Sequence, residues 1–385
     1  MPSLALAAPR IFDGVIWHRD AAVLVRSDGV EAVVPNGEIP AGTAIIEQDG
    51  MLVPGFVDLQ VNGGGGVMLN DRQDVEAIRT ICAAHAPFGT TALLPTLITD
   101  TPEITARTVE AGAAAFETKV PGFAGLHLEG PHLSLARKGA HDPKLIRPME
   151  DADQAFLIEA RKRLPSLLTT VAPESVSPER MTALAQAGVI VSLGHSDTSF
   201  ATATACAAAG ATMVTHLFNA MSQIGNREAG LAGAAIDDGG LWAGLIADGI
   251  HVDPATIGIA LRAKTGPAKI FLVTDAMATI GTDMKSFTLN GRVIRRENGR
   301  LTLADGTLAG ADLDMISAVR FMHRKIGLEL GEALRMASLY PADAMGLPRH
   351  GRLARGAQAD IVALSDDLNV RSVWIGGDQV FSAGP

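Results

Sequence analysis

The sequence predicts an α/β protein: a (β/α)8 TIM-like barrel with a small β-sandwich domain formed by both chain termini. Three observations support this fold. Eight apolar segments alternate with helical patterns in the middle of the chain, polar residues end most of those segments, and both termini contain short strands without a helical period. We expect the sandwich at residues 1–50 and 350–385, and the barrel at residues 51–349 with a β-meander insertion at about 286–307.

Both ends of the chain have the pattern of short strands joined by turns. Near the N-terminus, Ala22–Arg26, Glu31–Val34 and Thr43–Ile46 are strand candidates. Near the C-terminus, Ala359–Leu364 and Val370–Phe381 have the same character. Since the middle of the chain differs from both ends, we infer one small sheet domain to which both ends contribute.

The middle of the chain alternates strands with helices, and this alternation indicates a parallel sheet. The strand candidates are Met51–Leu59, Thr91–Leu94, Gly122–Leu128, Leu168–Val171, Val189–Leu193, Ala211–Thr215, Trp242–Ala247 and Ile270–Thr274. Helical patterns occupy Asp74–Ala86, Pro102–Phe116, Asp151–Arg163, Pro178–Gln186, Ser199–Ala209 and Pro254–Lys264, and two further helices, Asp312–Lys325 and Gly331–Met345, close the barrel. An open doubly wound sheet is the alternative. The barrel is favoured because it would bring the polar strand ends to one site.

Composition and charge exclude several classes of function. Hydrophobic residues make up 47% of the 385 residues, which is ample for a large core, and the net charge of −10 comes without a basic cluster. We therefore expect no nucleic-acid partner and no membrane partner. Cys82 and Cys206 match no metal or redox spacing, and the N-terminus has no signal-peptide pattern, so a cytoplasmic location is expected.

Three strand-end residues are candidate metal ligands. Glu129 ends one apolar strand, and His195 and His216 follow two later strands. Each of these residues, taken alone, is more often an ordinary core or surface side chain with its hydrogen bonds satisfied than a metal ligand. Together, one carboxylate and two imidazoles are a common hydrolytic metal set, and a divalent ion so held acidifies a bound water.

Two further residues have both a plain and a functional interpretation. Asp275 ends the last strand and is either a helix N-cap or an acid/base that takes a proton from water and passes it to a leaving group. Arg227, in the loop 218–227, is either a surface residue or a bidentate phosphate ligand beside Asn219.

Several motifs resemble the N-acetylglucosamine-6-phosphate deacetylase family of the amidohydrolase superfamily. The resemblance covers about residues 50 to 350, and its most specific strings are Leu-His-Leu-Glu-Gly-Pro-His at 126–132 and Thr-His-Leu-Phe-Asn-Ala-Met at 215–221. Supporting strings are Pro-Gly-Phe-Val-Asp at 54–58, Gly-Ala-His at 139–141, Gly-His at 194–195, Ala-Asp-Gly-Ile-His at 247–251 and Val-Thr-Asp at 273–275. Ala-Arg-Gly-Ala-Gln-Ala-Asp-Ile-Val at 354–362 is typical of the superfamily's β-sandwich.

The resemblance implies a role for each candidate site residue. It implies that Glu129, His195 and His216 hold the metal, that Asp275 is the acid/base, and that His141 holds the substrate carbonyl. It also implies that the sugar phosphate is bound by a further set: Asn219, the Ala220 backbone, Arg227 and His251. A homodimer is implied as well, with Arg227 or His251 reaching the neighbour's site.

This chain departs from many relatives after the first barrel strand. Those relatives carry His-x-His there and bind a second metal, whereas this chain has Gln60-Val-Asn62. Neutral amides are poor zinc ligands, so we expect one divalent ion per chain, Zn²⁺ first and Fe²⁺, Mn²⁺ or Co²⁺ as alternatives.

The expected reaction is metal-dependent hydrolysis of N-acetyl-D-glucosamine 6-phosphate to D-glucosamine 6-phosphate and acetate. One alternative is another amidohydrolase, acting on a cyclic amide or a nucleobase. A cyclic-amide hydrolase usually needs a metal-bridging lysine where Ala172-Pro-Glu174 stands. A nucleobase deaminase relies on the first-strand His-x-His. A non-catalytic sugar-phosphate binder is the other alternative, and retention of the metal-site residues argues against it.

Overall fold

The computed structural model describes residues 4–27 and 29–384, and two sheets dominate it. Eight parallel strands form a nearly closed barrel, and eight other strands from both ends of the chain form a separate sheet. This confirms the predicted fold class. None of the helices in the described part of the chain combines the length and apolarity that a membrane crossing requires.

The barrel strands follow one another in chain order around the sheet. They are Phe56–Val61, Thr90–Ile98, Leu126–Glu129, Leu167–Val171, Ile190–Leu193, Ala211–Val214, Trp242–Ile246 and Ile270–Val273. The first and last strands meet just beyond the end of the last one, where Val61 bridges Ala276 and the Asp275 N–H donates to the Gln60 carbonyl at 3.0 Å. The ring of strands is thereby completed on the side where polar residues end the strands.

Helices cover the outside of the barrel and begin where the sequence provides caps. They are Val75–His85, Pro102–Glu117, Asp151–Arg163, Pro178–Gln186, Phe200–Ala208, Gly230–Asp237, Pro254–Ala263, Met315–Phe321, Leu330–Ala337 and Leu339–Ala344. Asp74, Thr101, Ser177, Ser199 and Asp253 each accept a backbone N–H at a helix start, and three of these helices carry proline in the first turn.

Three helical segments differ from the sequence-based expectation. Gly230–Asp237 was not predicted, because its Gly and Ala residues are poor markers of a helix face. The predicted helix Asp312–Lys325 is shorter at its start and ends in a π-helical turn, Met322–Ile326. The predicted helix Gly331–Met345 is two helices that meet at Ser338.

The terminal sheet joins the two ends of the chain. Its strands are Leu4–Phe12, Trp17–Arg26, Gly29–Pro35, Ala44–Glu47, Met51–Pro54, Ile361–Leu364, Val370–Ile375 and Asp378–Ser382. The strand Met51–Pro54 lies at its centre, because it pairs with Leu4–Phe12 on one side and with Ile361–Leu364 on the other. Leu6, Ile11, Leu52, Ile361 and Trp374 are among the side chains of its core.

The predicted strand Met51–Leu59 is divided between the two sheets. Met51–Pro54 belongs to the terminal sheet, and Phe56–Val61 is the first barrel strand. Gly55 separates them, and a Cβ there would lie 2.0 Å from Thr91 Oγ1. Since no other residue fits this space, Gly55 allows the chain to pass from one sheet to the other against the second barrel strand.

A four-stranded antiparallel sheet follows the last barrel strand and contributes one wall of the barrel mouth. Its strands are Ser286–Leu289, Arg292–Glu297, Arg300–Thr302 and Leu308–Ala311. Its base is fixed by an ion pair between Arg296 and Asp312 at 2.7 Å. We refer to residues 286–311 as the insertion.

Candidate active site

A cavity of about 400 Å³ opens at the C-terminal ends of the barrel strands. Nearly all of the predicted site residues line it: Glu129, His141, His195, His216, Asn219, Ala220, His251 and Asp275. The insertion closes one side through Leu289, Thr307, Leu308 and Gly310. The barrel therefore brings together residues that are up to 146 positions apart in the sequence, from Glu129 to Asp275.

Three ligand atoms converge at the base of this cavity. Glu129 Oε1 lies 3.1 Å from His195 Nε2 and 3.1 Å from His216 Nε2, and the two nitrogens are 3.0 Å apart. All three side chains are buried. Three such atoms around one point are the donor set that zinc and similar ions bind.

The environment of His195 suits a metal ligand. Its Nδ1 lies 2.9 Å from the Arg137 carbonyl oxygen, which can only accept a hydrogen bond. The proton of the neutral ring therefore resides on Nδ1, which leaves a lone pair on Nε2 facing Glu129 and His216. Because Nδ1 donates to a backbone carbonyl, the ring is fixed in the tautomer that a metal requires. The residues present thus fit a divalent ion.

The backbone at the strand ends is strained in order to aim these side chains. His195, His216 and Asp275 have φ values of 47°, 31° and 52°. Residues other than glycine seldom occupy this left-handed region, and each such residue costs about 1–3 kcal/mol. Each lies two residues beyond the end of its strand, so the turn in the backbone points the side chain into the barrel mouth.

Two buried carboxylates in the cavity have opposite electrostatic environments. Burial opposes ionisation of Glu129, but the adjacent rings of His195 and His216 hold its pKa well below the usual range. Burial raises the pKa of Asp275 to about 6, and the negative charge of Glu129 adds to this effect. Glu129 is therefore kept ionised, as a metal ligand must be, while Asp275 is poised to gain and lose a proton near neutral pH.

Gln60 and Asn62 act as hydrogen-bond donors between these carboxylates. Gln60 Nε2 lies 3.2 Å from both oxygens of Glu129 and 3.2 Å from Asp275 Oδ1. Asn62 Nδ2 donates to the same Asp275 oxygen at 2.7 Å. Gln60 therefore stands between the two carboxylates and Asn62 beside Asp275, and each amide presents N–H groups where a metal ligand would present a lone pair.

Asp275 is not a helix N-cap. The next helix after it begins at Met315, and the Asp275 carboxylate faces Asn62 and Gln60 instead. The preceding residue, Thr274, is fixed by the buried Asp58, which accepts the Thr274 hydroxyl at 2.5 Å and the Thr274 N–H at 3.2 Å. Asp58 thereby holds the end of the last strand against the first.

His141 lies beside the three converging atoms and is buried. One of its nitrogens is within 4.8 Å of ligand atoms of Glu129 and His195. Its Nδ1 lies 2.7 Å from Thr99 Oγ1, and the Arg292 guanidinium of the insertion donates to the carbonyl of the preceding residue, Ala140. Burial lowers the pKa of His141 well below its usual range, and proximity to His195 adds to this effect. His141 is therefore a neutral ring in a fixed position.

His251 is oriented by a carboxylate on its own loop. Asp248 Oδ2 accepts from His251 Nδ1 at 2.6 Å, and Asp248 Oδ1 accepts the backbone N–H groups of Ile250 and His251 at 2.8 Å each. Burial opposes ionisation of Asp248, but the hydrogen bond with His251 is among the contacts that lower its pKa. His251 Nε2 therefore remains available to the cavity.

Arg227 stands apart from the other predicted residues. It is exposed in the loop after the sixth barrel strand and is not among the residues that line the cavity. Asn219 and Ala220 of the same loop do line it, and Ala220 has a φ of 49°.

Sequence reasoning missed several residues that support the site. They are Asp58, Thr99, Arg137, Asp248 and Arg292. Asp248 appears in the sequence analysis only within the string at 247–251, and its spacing of three from His251 was a usable signal. Nothing in the local sequence marks Thr99 or Arg292, because each meets its partner through the fold alone.

Comparison with known proteins adds to this geometry. An N-acetylgalactosamine-6-phosphate deacetylase of Shewanella sp. is 44% identical over 87% of this chain and 84% of that protein. An N-acetylglucosamine-6-phosphate deacetylase of Haemophilus influenzae is 35% identical over 93% of this chain and 94% of that protein. A Mycobacterium smegmatis N-acetyl-D-glucosamine-6-phosphate deacetylase mutant, solved in complex with N-acetyl-D-glucosamine-6-phosphate, is 33% identical, with a TM-score of 0.91 over 99% of this chain and 100% of that chain. The model of the amidohydrolase family matches residues 51–380, and with relatives of this similarity the chain belongs to the amidohydrolase family.

Proposed function

We propose that this chain hydrolyses the acetamide of N-acetyl-D-glucosamine 6-phosphate, with D-glucosamine 6-phosphate and acetate as products. The observation that carries the proposal is the convergence of Glu129, His195 and His216 opposite Asp275 in one cavity. The relatives named above, which match most of this chain, are named as deacetylases of amino-sugar 6-phosphates.

Glu129, His195 and His216 are the proposed ligands of one divalent ion, with Zn²⁺ as the first choice and Fe²⁺, Mn²⁺ or Co²⁺ as alternatives. Such an ion would supply Lewis acidity, which lowers the pKa of water and polarises an amide carbonyl. Amide donors from Gln60 and Asn62 occupy the region beside Asp275. This arrangement supports a single tight site.

Asp275 is the proposed acid/base. Its carboxylate takes the proton of the attacking water and then delivers that proton to the amide nitrogen, which is a poor leaving group until it is protonated. Its raised pKa, about 6, suits both halves of this transfer. The amide N–H groups of Asn62 and Gln60 hold the carboxylate in place.

His141 is the proposed hydrogen-bond donor to the substrate carbonyl oxygen. When the Thr99 hydroxyl donates to Nδ1, the ring carries its proton on Nε2 and can donate it to an oxygen in the cavity. A neutral, buried and fixed donor of this kind stabilises the negative charge that develops on the oxygen during attack.

Asn219, the Ala220 backbone and His251 are proposed to bind the sugar phosphate from inside the cavity. Arg227 is proposed to bind phosphate too, and its exposed position outside the cavity supports action at the site of a second copy in a homodimer. A cytoplasmic location is proposed with this metabolic role, and the two free, buried cysteines are compatible with it.

N-acetyl-D-galactosamine 6-phosphate is a second candidate substrate. The observation that favours it is the 44% identity to the Shewanella N-acetylgalactosamine-6-phosphate deacetylase. The identity to the Haemophilus N-acetylglucosamine-6-phosphate deacetylase is 35%. The two sugars differ only in configuration at C4, and the acetamide chemistry at C2 is the same. The same residues would perform the reaction on either sugar.

The test is acetate release from four purified substrates, namely both N-acetyl sugars with and without the 6-phosphate. We expect turnover of the phosphorylated sugars, and the ratio of their kcat/KM values decides between the two candidates. Absence of turnover by metal-loaded enzyme, together with tight binding of either sugar phosphate, would favour a non-catalytic binder. Absence of both would reject the proposed function.

A further inference from the structure

One permanent cation lines the cavity. Among the described residues that line it, Arg137 is the sole lysine or arginine, while Glu129 and Asp275 contribute two carboxylates. A phosphorylated substrate carries up to two negative charges into this space, on a chain whose net charge is −10. Favourable charge for the phosphate must therefore come from local groups, and Arg137 is the group already at the cavity wall.

The backbone of Arg137 is fixed to the metal-site histidine. It lies in the short helical turn Leu135–Arg137, and its carbonyl accepts from His195 Nδ1 at 2.9 Å. On the same segment, the Ser134 N–H donates to the His195 carbonyl at 2.9 Å. The start of the Arg137 side chain is therefore held at a constant distance from the reacting centre.

The guanidinium of Arg137, by contrast, is held by one exchangeable partner among the described residues, Asp197. Its Nε lies 2.8 Å from Asp197 Oδ1 and a terminal nitrogen lies 2.7 Å from the same oxygen. The two side chains are 37% and 51% exposed. Ion pairs this exposed contribute little to stability, so the guanidinium can leave Asp197 for a stronger anion at small cost.

We propose that Arg137 is a substrate-binding residue that contacts the phosphate from within the same chain. This inference rests on the proposed function, and it adds a cation to the residues considered above for phosphate binding. The planar fork of a guanidinium matches two phosphate oxygens, and it exchanges the single oxygen of Asp197 for a bidentate contact. Because the backbone of Arg137 is tied to His195, the contact also sets how far the acetamide reaches toward the base of the cavity.

The experiment compares Arg137→Ala and Arg137→Lys with Asp197→Asn, using the phosphorylated and the unphosphorylated N-acetyl sugar. For Arg137→Ala we expect KM for the phosphorylated sugar to rise by about 10- to 100-fold, with metal content unchanged and with unchanged kcat/KM for the unphosphorylated sugar. Arg137→Lys should fall between Arg137→Ala and wild type, since it keeps the charge but loses the fork.

Asp197→Asn is the matched control because it breaks the same ion pair while the cation remains. We expect its KM for the phosphorylated sugar to equal or fall below the wild-type value. If Asp197→Asn and Arg137→Ala raised KM equally, or if both sugars were affected equally, Arg137 would be a structural residue of the loop.

An unchanged KM in Arg137→Ala would also overturn the proposal. Should Arg137→Ala lose metal, Arg137→Gln, which keeps most of the stem, gives the same comparison. A wild-type enzyme without activity on any phosphorylated sugar would instead reject the proposed function.

Discussion

Asp275 and Glu129 show how one site gives two buried carboxylates different electrostatic environments. Both are buried, yet the adjacent rings of His195 and His216 lower the pKa of Glu129, while burial and the charge of Glu129 raise the pKa of Asp275 to about 6. A pair of carboxyl groups whose pKa values are pushed apart in this way is typical of sites in which one binds and the other transfers protons.

Replacing Asp275 by Asn tests its proposed role in proton transfer. Asparagine has nearly the same size, but it cannot accept a proton from water. We expect kcat to fall by about 10²–10⁴, equivalent to roughly 3–5 kcal/mol, with normal folding and metal content. Steady-state acetate release and elemental analysis measure these quantities. A variant that retained most of the wild-type kcat with its metal bound would leave His141 as the next candidate for the proton carrier.

The pH profile gives an independent measure of the same group. Asp275 must be ionised to take a proton, and its pKa is raised to about 6. Activity should therefore be present above this pH and decline as the pH falls through it. The acidic limb of kcat/KM belongs to the coupled unit of Asp275, water and metal, and it should flatten or shift in Asp275→Asn. The same limb in both enzymes would contradict the assignment.

The amides of Gln60 and Asn62 lead to a prediction about metal stoichiometry. Because their N–H groups point at Asp275 and Glu129, they satisfy carboxylate oxygens that a second ion would otherwise bind. Elemental analysis of the purified enzyme should give about one tightly bound divalent ion per chain. Restoring the histidines with Gln60→His and Asn62→His should raise the content toward two. Two tight ions in the unaltered, fully active enzyme would disprove the interpretation of this strand end.

At the scale of the secondary-structure elements, strand ends were the most predictable part of the site. Glu129, His195 and His216 each follow an apolar run, and parallel strands in a barrel share one C-terminal edge, so their meeting could be predicted. Thr99 could not, because a threonine at a strand end is common and its contact with His141 depends on the path of a loop. Arg292 lies 152 positions from the Ala140 carbonyl that it binds, and no local pattern relates the two.

The division of Met51–Leu59 between two sheets was hidden for a different reason. Apart from Asp58, the segment is apolar on both sides of Gly55, and every residue in it is buried. Strands buried on both faces lose the alternation that would mark a boundary. The signal that remained was Gly55 itself, whose need for space appears only when Thr91 is in place.

The insertion is predicted to act on catalysis through Arg292. Removing this side chain in Arg292→Ala deletes a charged hydrogen bond to the Ala140 carbonyl and should loosen His141. We expect kcat to fall by about tenfold, which corresponds to a lost contact of about 1.4 kcal/mol, with little change in Tm. Arg295→Ala, an exposed position on the same strand, is the control and should retain wild-type kcat. Equal losses in both variants would mean that charge, rather than the contact with Ala140, is responsible.

At the scale of the whole molecule, Gly55 couples the barrel to the terminal sheet. Its N–H donates to the Asp360 carbonyl at 2.9 Å, and an added Cβ would meet three atoms of Thr91 at 2.0–2.7 Å. Gly55→Ala should therefore destabilise the protein by about 1–3 kcal/mol through overpacking, seen as a lower Tm or denaturant midpoint. Gly37→Ala, where a Cβ meets nothing within 4 Å, should have little effect. An unchanged Tm for Gly55→Ala would show that the two sheets adjust easily at this point.

The terminal sheet also sets the order in which the protein can be completed during synthesis. Its central strand, Met51–Pro54, needs Ile361–Leu364 as a neighbour, and roughly 300 residues are made between the two. At about 5–20 residues per second, this edge waits about 15–60 s on the ribosome before its partner emerges. For that interval the nascent chain presents an apolar strand with one unpaired edge, which is the kind of edge that chaperones protect and through which chains aggregate. A chain that is released before residue 361 is added would therefore have a barrel that can form, while its terminal sheet lacks the strand Ile361–Leu364.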